Sequence, residues 1–429
     1  MNKKVSLGAT LALIIVAMAL TVSVTMVVAM RYFNTNVNDL AKKQVMFDNI
    51  ADVDTAVRQQ YGNIDEQKLR AALAQGYISS VGDPYAAYLS ASEYKKAQEI
   101  QKGEVTGVGI EATLASDGRI VATLIHKNSA AERAGMQEGD VITAIDGTAV
   151  NPSDFAAVES KLESASKIIL TAQRGDSTLS FDLTASTYSL VSVQERVIGS
   201  VGYLRIRGFH ENTAEQFKAA YSALEEQGVT AIVFDLRNNE GGTLQAAQDI
   251  LSYLMPRGEY AVFTDNSGNV THLVAEDTHQ MTIPSATLVN ANTAGEAELF
   301  AGVLQEFNMT TVVGEKTAGK GRVQEYFVLK VDSSAVKLSV GELSLSKGGA
   351  IQDRGVVPTK AVSLTADQMT NFELLDEKTD PQLITALSTL DGSDGTAAEP
   401  AGTTTASTGT TTTASSAATT SGGASSTAG

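Results

Sequence analysis

The chain has 429 residues, 43% of them hydrophobic, and carries 32 Lys+Arg against 49 Asp+Glu, a formal net charge of −17. That length allows two or three domains with real cores, while an acidic chain without a basic run makes a poor partner for nucleic-acid phosphate. The absence of cysteine excludes disulfides, thiolate catalysis and Cys-based metal sites. The four histidines (His126, His210, His272 and His279) include no pair three to five residues apart, so neither a metal nor another cofactor is expected.

Residues 5–30 carry no charge and follow Lys3 and Lys4. Twenty-six residues at helical rise exceed the hydrocarbon thickness of a bilayer, which predicts a transmembrane helix within 1–34. The flanking lysines then hold the short tip in the cytoplasm and put the bulk of the chain outside. Cleavage after Ala29, as for a signal peptide, is the alternative. Residues 35–100 read as polar helix. Within them Asp83–Pro84 makes a turn, and Ser90 with Glu93 spells a capping box that opens a further helix. Residues 101–186 change to short strand-like runs separated by Gly and Asp, with a glycine-rich turn at Gly107-Val108-Gly109-Ile110 and a short helix over 129–134.

Residues 187–390 alternate strands and helices, the pattern of an α/β core. Gly202–Ile206 alternates as a half-buried strand does. A helix follows, with Thr213 and Gln216 as a capping box and Gly228 as its stop. Ala231–Phe234 reads as a buried strand that runs into DLRNNEGG, residues 235–242. Glycines just past such a strand either form a tight turn or present backbone N–H groups to a ligand. The pattern repeats at Ala286–Asn290, which ends in NANTAGEAE before an apolar-faced helix, and at Thr311–Val313, which ends in GEKTAGKGRVQ. The last loop lacks the GxxxxGK[ST] spacing of a nucleotide-binding loop. Residues 391–429 are predicted to be a disordered tail, since every residue from 401 onward is Ala, Gly, Ser or Thr.

These stretches, in this order, resemble the carboxy-terminal processing (tail-specific) proteases, serine peptidases with a Ser–Lys pair and a PDZ domain. The resemblance rests on DPYAAYL, the PDZ segments GVGI and SAAERAGMQEGDVITAIDG, FDLRNNEGG, LVNANTAGEAELFAG, VVGEKTAGKGRVQ and GVVP. It covers residues 80–390. It implies a multidomain α+β and α/β fold: a helical arm, a small β domain of PDZ type, and a protease core of the ClpP/crotonase-like kind.

The resemblance also implies roles. Gly107, Val108, Gly109 and Ile110 would offer N–H groups to the carboxylate of a polypeptide C-terminus or unfolded segment, which adds as a strand. Lys320 matches the general base and Gln324 the residue that orients it. Gly241 and Gly242 match one arm of the oxyanion hole, and the N–H after the nucleophile is the other. The nucleophile position, 25 residues before Lys320, is Gly295. Glycine has no atom to deprotonate, so the expectation is a membrane-anchored, peptide-binding pseudoprotease. Two alternatives stay open: an active endopeptidase that uses Thr293, the nearest hydroxyl, with Lys320, and a structural envelope protein. Glu296 stands where the family commonly has a small residue. The helix dipole favours a carboxylate there, and pairing with Lys320 is the sharper expectation. The likeness of residues 35–100 to a dimerising arm implies a homodimer.

Overall fold

The structure, a computed structural model, describes residues 7–277 and 279–391, apart from the side chains of Leu7, residues 9–15, Ala29, residues 32–39 and Ala41. The tail expected over 391–429 lies, beyond Asp391, outside the described residues. Leu7–Gln60 forms one helix of 54 residues that continues across the expected boundary at residue 34. Among the described residues no helix is long and apolar enough to cross a membrane, so the expected transmembrane helix over 5–30 finds no support there.

The chain divides into two compact units, Met1–Glu99 with Arg322–Gly341, and Ile100–Gly321 with Glu342–Gly429. In the first, Asp65 caps the helix Glu66–Ser79 by accepting from the N–H groups of Gln67 and Lys68. The capping box forms as expected: Glu93 accepts from Ser90 N at 2.8 Å, and Ser90 Oγ accepts from Glu93 N at 3.3 Å. Residues 322–341, expected within the core, belong to this unit because Ala335–Lys337 pairs antiparallel with Ala87–Leu89. Asp83 adds to that join by accepting from Ser339 N at 2.9 Å.

The second unit opens with a small β domain. Its strands Ile110–Leu114, Ile120–Ile125, Val141–Ile145, Lys167–Arg174 and Ser177–Thr184 are antiparallel neighbours. Val108, Ile120, Ile142, Leu170 and Leu183 fill a core closed by Val158 and Leu162 of the helix Phe155–Ser164.

The rest of this unit is built on six strands in the order β1 (Val193–Ile198), β2 (Val201–Ile206), β3 (Ala231–Asp235), β4 (Ser285–Val289), β5 (Thr310–Gly314) and β6 (Lys360–Ala361). Only β1 runs antiparallel to its neighbour. β3 and β4 are buried throughout, as central parallel strands covered on both faces must be. The two-residue period of β3 sends Val233 to one face and Phe234 to the other. Val233, Ala286 and Leu288 pack with Leu383 and Ala386 of a helix, Pro381–Leu390. Phe234 meets Phe217 of α1 (Thr213–Glu226) and Phe300 of α3 (Glu296–Glu306), with ring centroids 6.1 and 5.3 Å apart, and α2 (Leu244–Leu254) contributes Ile250 and Leu251 to the buried set.

α1 starts differently from its sequence pattern. Thr213 is its first helical residue, its hydroxyl accepting from His210 N at 2.8 Å, while the Gln216 amide is drawn to Ser192 N and Leu190 O. A long-range strand end has taken the side chain that a local cap would have used.

Candidate active site

Three loops leave the C-terminal ends of consecutive parallel strands: residues 236–243 after β3, 290–295 after β4 and 315–321 after β5. Ligand sites of open α/β sheets form at such ends. A buried ion-pair group anchors the first loop. Arg237 meets Asp235 at 2.5 Å and Asp380 at 2.7 Å, and Tyr203 donates its hydroxyl to Asp235 at 2.7 Å. Burial pushes the Asp235 carboxyl up, but the guanidinium of Arg237, with that of Arg205, outweighs it and holds the group below the ordinary carboxylate range. The first two loops are laced together by asparagines. Asn290 accepts from Asn238 N at 3.0 Å and donates to Asn238 Oδ1 at 2.7 Å, while Ala294 N donates to Asn239 O at 2.9 Å.

Gly295 caps α3 with φ +62° and ψ −126°. A residue at the strand-to-helix corner in this conformation is held where a nucleophile elbow holds its hydroxyl, at a backbone strain that glycine avoids. A Cβ built there would lie 3.3 Å from Glu240 O and 3.6 Å from Gly241 Cα. The vacant side-chain position thus faces the glycine loop.

Two residues earlier, Thr293 is fully buried. Its hydroxyl donates to Leu236 O at 2.9 Å and accepts from Asn290 N at 3.0 Å, so it braces the loop. Gly242 has φ +153°, and a Cβ on it would fall 2.2 Å from Phe209 O, so only glycine fits. The two candidate oxyanion donors separate here. Gly241 N donates to Asn239 Oδ1 at 2.9 Å, whereas Gly242 N donates to Glu296 Oε2 at 2.8 Å.

Glu296 is only 6% exposed. Burial pushes its carboxyl above the ordinary range, opposed by the Gly242 N–H, by its own backbone N–H and by the positive charge of Lys320. The charge of Lys320 reaches this carboxyl, but the hydrogen bond it makes is to the backbone of Gly242.

Glu298, one turn into the same helix, is fully buried and gathers four donors. Oε1 accepts from the Thr317 hydroxyl and from Gly319 N at 2.7 Å; Oε2 accepts from Lys320 N at 2.7 Å and Gly295 N at 3.1 Å. One carboxylate thus ties the elbow to the lysine loop. Ala318 N, donating to Thr293 O at 3.0 Å, is a second tie. The half-buried Lys320 is placed by this backbone. Gln324 lies on the strand Arg322–Val328, in the first unit, and donates its amide to Arg322 O. No motif in the sequence assigned Glu298 this tying role. Its position three residues past the helix cap was the one local sign of its role.

In the β domain, Gly107–Ile110 is buried. Gly107 ends the strand Glu104–Gly107, which pairs with Ser186–Ser189. The carbonyls of Val108 and Gly109 accept from Ala131 N and His126 N, each at 3.0 Å. Gly109 has φ +80° and lies so close to Ser129 that a Cβ would fall 2.1 Å from the serine's.

Residues 200–362 match the profile described as Peptidase family S41, and residues 121–174 that of a PDZ domain. The chain is 30% identical over 308 residues to the carboxy-terminal processing protease CtpB of Bacillus subtilis (strain 168), a match that takes in 70% of this chain and 64% of that protein. It is 28% identical over 367 residues to a CtpA-like serine protease of Staphylococcus aureus (strain MSSA476), covering 83% of this chain and 73% of the relative. A solved structure assigned to the S41 proteases, from Bacteroides fragilis NCTC 9343, superposes with a TM-score of 0.55 at 20% identity, over 74% of this chain and 90% of the other, and shows a shared fold.

Proposed function

Because residues 200–362 make this chain a member of peptidase family S41 and residues 121–174 give it a PDZ domain, we propose that it binds polypeptide C-termini or unfolded segments without hydrolysing them. One observation carries this reading: the corner that would present the attacking hydroxyl is Gly295, in an elbow backbone with no side chain. The neighbouring Thr293 supports no rescue, since its hydroxyl is buried and already donates to Leu236 O. Lys320 and Gln324 then keep the base positions of the family without a proton to take. The loop Gly107–Ile110 receives the peptide carboxylate.

Attachment to a membrane through residues 1–34, an extracytoplasmic location and a homodimer formed through residues 35–100 belong to the same proposal, supported by the sequence alone. Cell fractionation and light scattering of the purified chain check them.

The main test mixes the full chain with a loosely folded protein that ends in apolar residues. No cleavage is expected over hours. Binding should saturate, compete with a free C-terminal peptide, and compete far less with the same peptide amidated at its end. Cleavage products from the native chain would overturn the proposal, and equal competition by the amide would remove the PDZ loop from it.

A further inference from the structure

We infer that Glu296 is a built-in ligand of the oxyanion cradle, so that this chain is silenced twice: once by the missing hydroxyl and once by a carboxylate seated where a substrate's oxyanion would form. The inference rests on family membership, which names the cradle, and not on whether the native chain cleaves peptides.

In the family's scheme the cradle is made of two backbone donors, the N–H of the glycine loop and the N–H of the residue after the nucleophile. Here these are Gly242 N and Glu296 N. Glu296 Oε2 accepts the first at 2.8 Å, and the second is the N–H of the same residue, on the backbone that carries this carboxyl. The group is a carboxyl, it is almost wholly buried, it lies at the N-terminus of an eleven-residue helix, and the charge of Lys320 favours its ionised form against the effect of burial. Gly241 is shaped around it, since a Cβ there would lie 2.4 Å from Glu296 Oε2.

A neutral substrate carbonyl competes poorly for these donors. The Glu296 carboxyl is tethered to the helix it begins, so it reaches the Gly242 N–H without the entropy cost of bringing in a separate acceptor. The other oxyanion candidate, Gly241 N, cannot substitute without releasing Asn239 Oδ1. A serine placed at 295 would therefore meet a carbonyl that the cradle does not polarise. Losing even one donor of an oxyanion hole lowers kcat on the order of 10²–10³-fold.

The test compares hydrolysis of a denatured protein substrate by the full chain carrying Gly295→Ser, Glu296→Ala, both changes, or both with Lys320→Ala. The double variant is expected to hydrolyse at least tenfold faster than Gly295→Ser, and to lose that rate with Lys320→Ala. Equal rates for Gly295→Ser and the double variant would overturn the inference. Hydrolysis by the native chain would instead overturn the preceding proposal, so the two failures are distinct.

A second readout needs no turnover. Hydrogen exchange of the segment 240–243 should quicken in Glu296→Ala, and sodium acetate, a free carboxylate, should restore its protection in that variant while leaving the native chain unchanged. Unchanged exchange in Glu296→Ala would overturn the inference even if no variant cuts.

Discussion

The two sides of the first turn of α3 use the same residue type for opposite ends. On the side facing the lysine loop, Glu298 gathers Thr317, Gly319, Lys320 and Gly295, and its carboxylate is part of the scaffold. On the side facing the glycine loop, Glu296 fills a cradle whose donors the family's chemistry would leave open. Both side chains are buried and two residues apart, so burial and helix position do not separate them. The number and kind of donors do. Four donors from two loops make a carboxylate structural, whereas the single loop donor Gly242 N makes it an occupant. The supports of the corner are thus intact, and the changes fall on the atoms that would touch a substrate.

The sharpest way to break this contrast is to remove Glu298. Glu298→Ala would strand four donors, three of them buried, and the expected loss is roughly 3–5 kcal/mol in urea unfolding of the full chain. A loss no larger than that of an ordinary surface change would mean that the carboxylate ties nothing together. Gly242→Ala should come next, at about 2–4 kcal/mol, because its Cβ would collide with Phe209 O. Gly295→Ser is expected to cost about 1–2 kcal/mol, the strain of holding a side chain at φ +62°, with only a close approach to Glu240 O besides. A stabilising effect there would show that the elbow relaxes away from the described conformation.

Glu296→Gln should have the smallest effect on stability, under about 1 kcal/mol, and a definite pH signature. The folded-state pKa of Glu296 is raised, so the native chain binds its proton more tightly than the unfolded chain does. Its ionisation therefore weakens folding progressively as pH rises from the unfolded value through the folded one. The glutamine variant lacks this penalty. Unfolding curves at pH 4 and pH 7 should show the variant gaining on the native chain at the higher pH. A gain at the lower pH instead would reverse the assigned direction of the shift. Asp235 runs the other way: its lowered pKa contributes stability above its unfolded value and loses it as pH falls, which marks the Arg237 group as an early casualty of acid.

The sequence by itself determined the strands of the core, the capping box at Ser90, the order of three strand-end loops and the absence of a hydroxyl at 295. Each is local, carried by an apolar period, a four-residue cap or the identity of one residue. Tertiary structure decided what local pattern could not carry. The Gln216 amide left its predicted cap for Ser192 and Leu190 because strand order brings that segment to the helix. Residues 322–341 joined the first unit because Ala335–Lys337 found its partner some 250 residues earlier in the chain. Glu296, expected as a partner for Lys320, instead accepts from the N–H of Gly242, a residue 54 positions away that only the neighbouring parallel strand delivers. A side chain's type is written in the sequence. Its donors are set by which strand ends the sheet places side by side.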